Sequence, residues 1–337
     1  MDESRDCDLA TLLLRSGAVS PGARLTPLTG GVSSEIVRVE DGGRVFVAKR
    51  ALAQIKVRDD WRADPGRIRH EHRYMTTVAK FLPDAVPRLL QTDDHGGWFA
   101  MEWLGEGWSN WKTDMLAGRA EPDVARRAGR ILGIIHRETR GSDDLLRDFD
   151  TTQNFHDLRL DAYLLTTGRR HPGLEDLFRS EADRIRSTRE CLVHGDYSPK
   201  NMLVRGDRLV VLDCEVAWFG DPRFDLAFLL NHLHLKGLHH APRGEAFAPL
   251  VAAATGAYFG ERRLPSEETA SFDRDVSRLL LMLLLARVDG KSPVEYLAHA
   301  PAKQGFLRRF VADHLAAGPL PLADLTRDWF SALARIR

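Results

Sequence analysis

The sequence is poor in the features that mark secreted, metal-binding and membrane proteins. Its three cysteines, Cys7, Cys191 and Cys214, form no CxxC pair. Isolated cysteines in odd number argue against a disulfide framework and against a zinc site. The longest aliphatic run, residues 279–286, is far shorter than the roughly 18 residues of a membrane-spanning helix and instead predicts a buried helix.

Net charge is also absent, because 48 Lys and Arg residues balance 48 Asp and Glu residues. Such a chain has no overall field that would attract nucleic acid or an anionic membrane. The first residues, MDESRDCD, are acidic where a secretory signal peptide would be basic. We therefore expect a cytoplasmic monomer or homodimer without nucleic-acid or membrane partners.

The hydrophobic pattern changes near residue 105. Before it, two alternating segments, residues 34–39 and 44–49, flank an Asp-Gly-Gly turn and predict an antiparallel hairpin. A helix over 67–81 and strands over 86–91 and 98–104 follow. We predict an α+β fold with a β-rich domain at residues 1–104 and a mostly helical domain at 105–337.

Helical spacing dominates the second domain, where Pro122 suits a first helical turn. Further helices are predicted over 156–167, 173–190, 225–236, 272–288 and 301–317. A short β-rich patch interrupts them at residues 191–193, 202–204 and 209–212.

The chemistry is concentrated in HGDYSPKN, residues 194–201, and in the strand that ends at Asp213. Phosphoryl transfer needs a carboxylate that orients and deprotonates a hydroxyl, and oxygen ligands that hold Mg²⁺ on nucleotide phosphates. Asp196 on a loop suits the first role. The oxygens of Asn201 and Asp213 suit the second.

These two segments resemble the catalytic loop and metal-binding segment of the aminoglycoside phosphotransferase-like, or choline kinase-like, family. The resemblance implies a protein-kinase-like two-lobed fold with ATP in the cleft between the lobes. It implies ATP-dependent, Mg²⁺-requiring transfer of the γ-phosphate to a hydroxyl of a sugar, amino alcohol or aminoglycoside-like molecule. It makes Asp196 the catalytic base and Asn201 and Asp213 the metal ligands, with His194 bracing the loop.

The resemblance continues on both sides. In GDPRFDLA, residues 220–227, Asp225 is expected to cap the next helix and to hold the catalytic loop. The strand Val47-Ala48-Lys49 resembles the one whose lysine contacts phosphates. The remaining expected nucleotide-site residues are Glu71 as the partner of Lys49, Gly30, Gly31 and Ser33 over the phosphates, and Glu102 and Leu104 in the connector near adenine.

Several assignments stay open at this point. Glu35 competes with Glu71 for Lys49, because about sixteen residues separate the lysine strand from the Glu71 helix. Glu215 is either an acid near Mg²⁺ or a loop cap. The histidines at 232, 234, 239 and 240 lack the i,i+4 spacing of a zinc helix and are read as a polar helix end.

The acceptor is not specified by any motif. Candidate residues of its pocket are Trp218, Asn231, His232 and Arg287, and the cations of the helical domain favour a neutral or anionic acceptor over a polycationic one. Two alternatives remain. A protein kinase would need a long activation loop after Asp213, and a catalytically weak regulatory module would be expected to lack some of these residues.

Overall fold

The computed structural model describes residues 8–28, 34–52 and 64–336. The chain divides into two compact units. The first comprises Met1–Trp108 together with Leu212–Val216, and the second comprises Ser109–Val211 together with Ala217–Arg337. The segment around Asp213 thus belongs with the β-rich unit, although it lies far along the chain.

The first unit is built on a five-stranded antiparallel sheet of order β1-β2-β3-β5-β4. Its elements are α1 (Leu9–Arg15), β1 (Arg24–Pro27), β2 (Ser34–Asp41), β3 (Arg44–Ala51), α2 (Ile68–Ala79), β4 (Leu89–Asp93) and β5 (Trp98–Glu102), with short 3₁₀ turns at Pro65–Arg67 and Pro83–Ala85.

The predicted hairpin is confirmed as β2 and β3. Gly42 and Gly43 both have positive φ, 55° and 84°, which is the geometry of a type I′ turn and matches the twist of the two strands. Leu9 and Leu13 of α1 pack with Val39 and Trp98 of the sheet in one buried cluster. Helix α1 was not predicted.

The second unit is mostly helical. Its strands are β6 (Ser109–Asn110), β7 (Cys191–Val193), β8 (Met202–Arg205), β9 (Arg208–Val211) and β10 (Trp218–Gly220). Its helices are α3 (Trp111–Leu116), α4 (Pro122–Glu138), α5 (Asp143–Asp148), α6 (Thr152–Phe155), α7 (Thr166–Arg170), α8 (Glu175–Ser187), α9 (Pro222–His239), α10 (Ala248–Arg262), α11 (Ser266–Asp289), α12 (Pro301–Ala317) and α13 (Leu322–Leu333).

Short strands and helical turns complete this unit. Strands β6, β8 and β9 form one antiparallel sheet, and β7 pairs with β10. A π-helical stretch, His156–Leu165, joins α6 to α7. Single 3₁₀ turns occur at Pro172–Leu174, Pro199–Asn201, Arg243–Phe247 and Glu295–Leu297.

Helices α9 and α11 form the centre of the second unit. Nearly every residue of α9 is buried, and so is the run from Leu279 to Arg287 in α11. A helix that is apolar on all sides is stable only inside a protein, so the interpretation of residues 279–286 as a buried helix is confirmed. Within the described ranges no helix combines the length and apolarity needed to cross a membrane.

Helices α4 and α10 approach each other through glycine. A Cβ on Gly129 would lie 2.0 Å from the carbonyl oxygen of Ala254, and one on Gly133 would lie 2.6 Å from that of Tyr258. Both obstacles are backbone atoms, which cannot move aside as a flexible side chain can. The close helix contact therefore requires glycine at both positions.

We predict that Gly129→Ala lowers the free energy of unfolding by about 1–3 kcal/mol or more, because the added methyl group overpacks the contact. Gly256→Ala on α10 is the matched control, since a Cβ there meets nothing within 4 Å. The control is expected to be neutral or stabilising by up to about 1 kcal/mol, the difference in helix propensity. Urea titrations of both variants measure the change in the free energy of unfolding. Equal unfolding midpoints would show that the contact between α4 and α10 does not require glycine at position 129.

Candidate active site

The loop that carries Asp196 is held by a buried carboxylate from α9. Asp225, fully buried, accepts hydrogen bonds from the backbone N–H groups of His194 at 2.7 Å and Gly195 at 2.9 Å. Its Oδ2 also lies 3.4 Å from Nε2 of His136 on α4. Gly195 has a φ of 76°, a conformation that favours glycine. The loop is therefore fixed before any ligand arrives.

Hydrogen bonds within the loop complete its shape. His194 Nδ1 accepts from the backbone N–H of Asp196 at 3.1 Å, so its predicted bracing role is present in the structure. The Asn201 amide donates to the carbonyl of Asp196 at 3.0 Å. This leaves the Asn201 Oδ1 without a hydrogen bond within the described part of the chain. An oxygen in that state fits the ligand role expected of Asn201.

Two cations that sequence reasoning did not single out contact the carboxylate of Asp196. Arg159 Nη2 lies 3.2 Å and Lys200 Nζ 2.9 Å from Asp196 Oδ2. Arg159 also donates to the carbonyl of Gly195. It projects from the π-helical stretch, a type of helix that is frequent at functional sites. The carboxylate of Asp196 is 4% exposed, and a buried carboxylate is costly unless cations of this kind pair with it.

The expected capping role of Asp225 is wrong. The N-cap of α9 is Asp221, whose carboxylate accepts from the backbone N–H of Arg223 at 3.0 Å. Asp225 lies one turn into the helix, where its carboxylate reaches the catalytic loop instead. The expected connection to that loop is therefore present, but the cap belongs to the aspartate four residues earlier.

In the first unit, Lys49 joins two carboxylates. Its ammonium, 3% exposed, donates at 2.7 Å both to Glu71 of α2 and to Asp213. Glu35, the competing candidate, pairs with Arg50 at 2.9 Å. The structure thus decides the open choice in favour of Glu71.

Burial and charge together set the protonation of this group. Burial disfavours the ammonium of Lys49, but the charges of Asp213, Glu71 and Glu215 outweigh it and raise the pKa of Lys49. Burial, together with Asp213 and Glu215, raises the pKa of Glu71 to about 7 even though Lys49 opposes the shift. Lys49 thus lies among three carboxylates, those of Glu71, Asp213 and Glu215.

A backbone conformation distinguishes Asp213, whereas a hydrogen bond to an arginine positions Glu215. Asp213 has a φ of 62°, which is uncommon for a residue other than glycine. Its side chain is 30% exposed and so accessible to a ligand. Glu215 accepts from Arg67 Nε at 3.0 Å, and Arg67 itself is 1% exposed. Glu215 is thus tied to a buried arginine that sequence reasoning did not assign.

The structure gives less information about the other residues expected at the nucleotide site. Gly30, Gly31 and Ser33 lie outside the described residues. Glu102 ends β5, and its carboxylate accepts from the backbone N–H of Arg88 at 3.0 Å. Leu104 follows β5 and is partly buried. Their adenine-binding roles stay predictions.

The four acceptor-pocket candidates differ in their surroundings. Trp218 is fully buried and stacks on Phe155 with ring centroids 4.2 Å apart, as a core residue does. Asn231 is also fully buried, and in the described part of the chain neither its amide oxygen nor its amide nitrogen has a hydrogen-bond partner. His232 and Arg287 are 6% and 9% exposed. Their roles in acceptor binding stay predictions.

The interpretation of the histidine group as a polar helix end is wrong for two of its members. His232 and His234 lie inside α9 and are buried, with His234 Nδ1 2.8 Å from the carbonyl of Leu230. His240 caps the helix and contacts the carbonyl of Met115. In the described ranges no three His, Cys, Asp or Glu side chains are grouped so as to hold a metal.

A family model described as the phosphotransferase enzyme family, APH, matches residues 24–265. The chain belongs to this family. The matched region begins in β1 and ends just after α10, so it contains Lys49, Glu71, Asp196, Asn201 and Asp213.

Curated relatives of this family member include two methylthioribose kinases. The one from Pectobacterium atrosepticum is 24% identical over 250 residues, which cover 62% of this chain and 60% of the relative. The one from Bacillus cereus is 22% identical over 250 residues, covering 66% and 63%. The chain thus matches about three fifths of the length of these relatives.

Solved structures show the same fold. An amicoumacin kinase in complex with AMP-PNP, Ca²⁺ and Ami matches with a TM-score of 0.59 and 14% identity, covering 95% of this chain and 97% of that one. A choline/ethanolamine kinase family protein from Mesorhizobium loti matches with a TM-score of 0.52 and 18% identity, covering 96% and 97%. The α+β kinase-like fold expected from the sequence is confirmed.

We predict that Asp225→Asn destabilises the protein by about 1.5–3 kcal/mol, because the amide replaces a carboxylate that accepts from two backbone N–H groups. Asp183→Asn, the same change at an exposed position of α8, is the control and should have little effect. Chemical denaturation of both variants gives the comparison. If Asp225→Asn is as stable as the control, the carboxylate does not hold the loop.

Proposed function

We propose that this protein is an ATP-dependent kinase that transfers the γ-phosphate to a hydroxyl group of a small molecule. The observation that carries the proposal is the carboxylate of Asp196, buried on a loop that Asp225 fixes and held by Arg159 and Lys200. Phosphoryl transfer depends chiefly on positioning and on charge neutralisation. A preorganised carboxylate among cations supports that chemistry.

Asp196 accepts the proton of the attacking hydroxyl in this proposal. Arg159 is buried and keeps the carboxylate oriented, whereas Lys200, whose side chain is 46% exposed, is accessible to the phosphate that is transferred. A lysine at that place offsets the charge that develops on the phosphoryl oxygens. Lys49, positioned by Glu71, contacts the phosphates of the bound nucleotide.

Asn201 and Asp213 are the proposed Mg²⁺ ligands. One feature of the structure fits a hard cation: the Asn201 Oδ1 accepts no hydrogen bond within the described ranges. A bound Mg²⁺ supplies charge neutralisation on the nucleotide phosphates. The cytoplasm, where ATP and Mg²⁺ are plentiful, is the proposed location.

A protein kinase is disfavoured by the length of the segment after Asp213. The chain passes from Asp213 through residues 214–221, including β10, directly into α9. A long activation loop has no place there. A small-molecule acceptor therefore suits the chain better than a protein substrate.

We predict that Asp196→Asn lowers the rate of ADP formation by about two to four orders of magnitude, the usual scale for loss of a general base. Nucleotide affinity should change little, because the role proposed for Asp196 is to accept the proton of the acceptor hydroxyl. Asp183→Asn serves as the control for an exposed aspartate. A screen of hydroxylated small molecules with coupled ADP detection provides the assay, and undiminished turnover by Asp196→Asn would exclude its role as base.

A second prediction concerns the metal. Asp213→Asn should abolish the Mg²⁺-dependent part of nucleotide affinity, since an amide is a weaker ligand than a carboxylate. Asp207→Asn, in the exposed turn between β8 and β9, is the matched control. Calorimetric titration with AMP-PNP, with and without Mg²⁺, measures both. Identical Mg²⁺ dependence in the two variants would contradict the assignment.

A further inference from the structure

The second unit contains a group of buried cationic and polar side chains, which we call the cationic cluster: Lys236, Arg287, His232, Tyr163 and Tyr296. Helix α9 contributes Lys236 and His232, which are four residues apart and so lie on one face. Helix α11 contributes Arg287, the π-helical stretch Tyr163, and the Glu295–Leu297 turn Tyr296. The proposed phosphoryl transfer assigns no step to these residues.

Lys236 is the most unusual member. Its side chain is 1% exposed, and its Nζ lies 4.0 Å from the centroid of the Tyr296 ring. Within the described ranges it makes neither an ion pair nor a hydrogen bond. A buried ammonium without a carboxylate is costly to the folded state.

Arg287 is a second buried cation without an ion pair in the described ranges. Its Nη1 donates to the hydroxyls of Tyr163 at 2.9 Å and Ser292 at 3.0 Å, and to the Ser292 carbonyl. Its Nε has no acceptor, and no carboxylate among the described residues pairs with it. Arg287 is therefore oriented by neutral oxygens only, and its charge is not compensated.

Other polar atoms of the cluster are also unsatisfied. His232 Nε2 and the Tyr296 hydroxyl are buried and have no hydrogen-bond partner among the residues that the structure describes. Native proteins rarely leave several such atoms together unless a ligand or water occupies the place. Two uncompensated cations and two unpartnered polar atoms share one region.

Titration behaviour agrees with an excess of positive charge. Burial, together with Lys112 and Arg287, lowers the pKa of Lys236 to about 7 despite the nearby Glu295, and burial, Arg287 and Lys236 hold the pKa of His232 well below its ordinary value. Burial disfavours the Tyr163 phenolate, yet Arg287 and Arg159 outweigh it and lower that pKa.

The cluster is connected to the catalytic loop within the same unit. Arg159, which pairs with Asp196 at 3.2 Å, lies four residues before Tyr163 on the π-helical stretch. Its guanidinium is 5.8 Å from the Tyr163 ring, and that of Arg287 is 5.4 Å from the same ring. Arg159 and Tyr163 thus connect the cluster to the side chain of Asp196.

We infer that the cationic cluster binds an anionic group of the acceptor, so that the substrate is a small hydroxylated molecule bearing a carboxylate or a phosphate. The inference rests on the proposed function. An anion would pair with Lys236 and Arg287 and accept hydrogen bonds from His232 and Tyr296. A polycationic acceptor would meet charge of its own sign.

The first test measures anion binding without turnover. Thermal unfolding is followed with Mg²⁺ and saturating AMP-PNP, while sodium acetate or sodium phosphate replaces sodium chloride at constant ionic strength. The melting temperature of the wild type is expected to rise, that of Lys236→Met to stay constant, and Lys236→Arg to regain the response. Lys80→Met, at an exposed lysine, is the matched control and should respond as the wild type does.

The variants are expected to fold, because replacing an uncompensated buried charge with an apolar side chain is often neutral or stabilising. Arg287→Met provides a second variant and should also lose the response. A response to acetate alone identifies a carboxylate site, and one to phosphate alone identifies a phosphate site. Equal responses in the wild type, Lys236→Met and Arg287→Met would overturn the inference.

The second test measures selectivity with acceptors that differ only in charge. Turnover is compared for glucose, gluconate, glucose 6-phosphate and glucosamine, and for hydroxy acids against their amides. The anionic members should be preferred, and Lys236→Met should raise their KM by about 30-fold or more, as loss of a buried charge partner does. Turnover that requires Asp196 but shows no preference for anions would refute this inference and leave the proposed function standing. Anion binding by a protein whose turnover is unaffected by Asp196→Asn would refute the proposed function and leave the anion-binding inference standing.

Discussion

The second unit depends on one carboxylate, that of Asp225, which is fully buried and accepts hydrogen bonds from two consecutive backbone N–H groups. A buried charge is tolerated when such donors surround it, and its loss leaves those donors unsatisfied. The carboxylate thereby connects α9 to the loop of Asp196. The precision of the candidate site follows from the packing of α9, which is buried along nearly its whole length.

The sequence predicts a structural element or a site residue correctly where a single segment specifies it. The β2–β3 hairpin follows from alternation and two glycines, α12 has the predicted bounds, and residues 194–201 give the positions of Asp196 and Asn201. Helix α10 was missed because its 15 residues are rich in alanine and glycine and show little amphipathic spacing. Its place is set by contacts with α4 through Gly129, which lie far away in sequence.

Long-range ion pairs were the least predictable part of the site. Arg67 and Arg159 contact Glu215 and Asp196 across 148 and 37 positions of sequence, and an arginine on a helix ordinarily signals a solvated surface. Burial is what distinguishes them, and no local pattern reports it. The π-helical geometry of His156–Leu165 was equally hidden, since its residues also suit an α-helix.

Charge is distributed unevenly at two buried places in the chain, although the whole chain is neutral. Around Lys49, the carboxylates of Glu71, Asp213 and Glu215 together raise the pKa of the lysine. In the second unit, neither Lys236 nor Arg287 forms an ion pair with a carboxylate within the described ranges, which favours an anion. The arrangement of Lys236 and Arg287 does not stabilise the folded protein by itself, because uncompensated buried charge is costly. It becomes favourable when an anion binds, so the missing carboxylate partners indicate the charge of the group that the second unit binds.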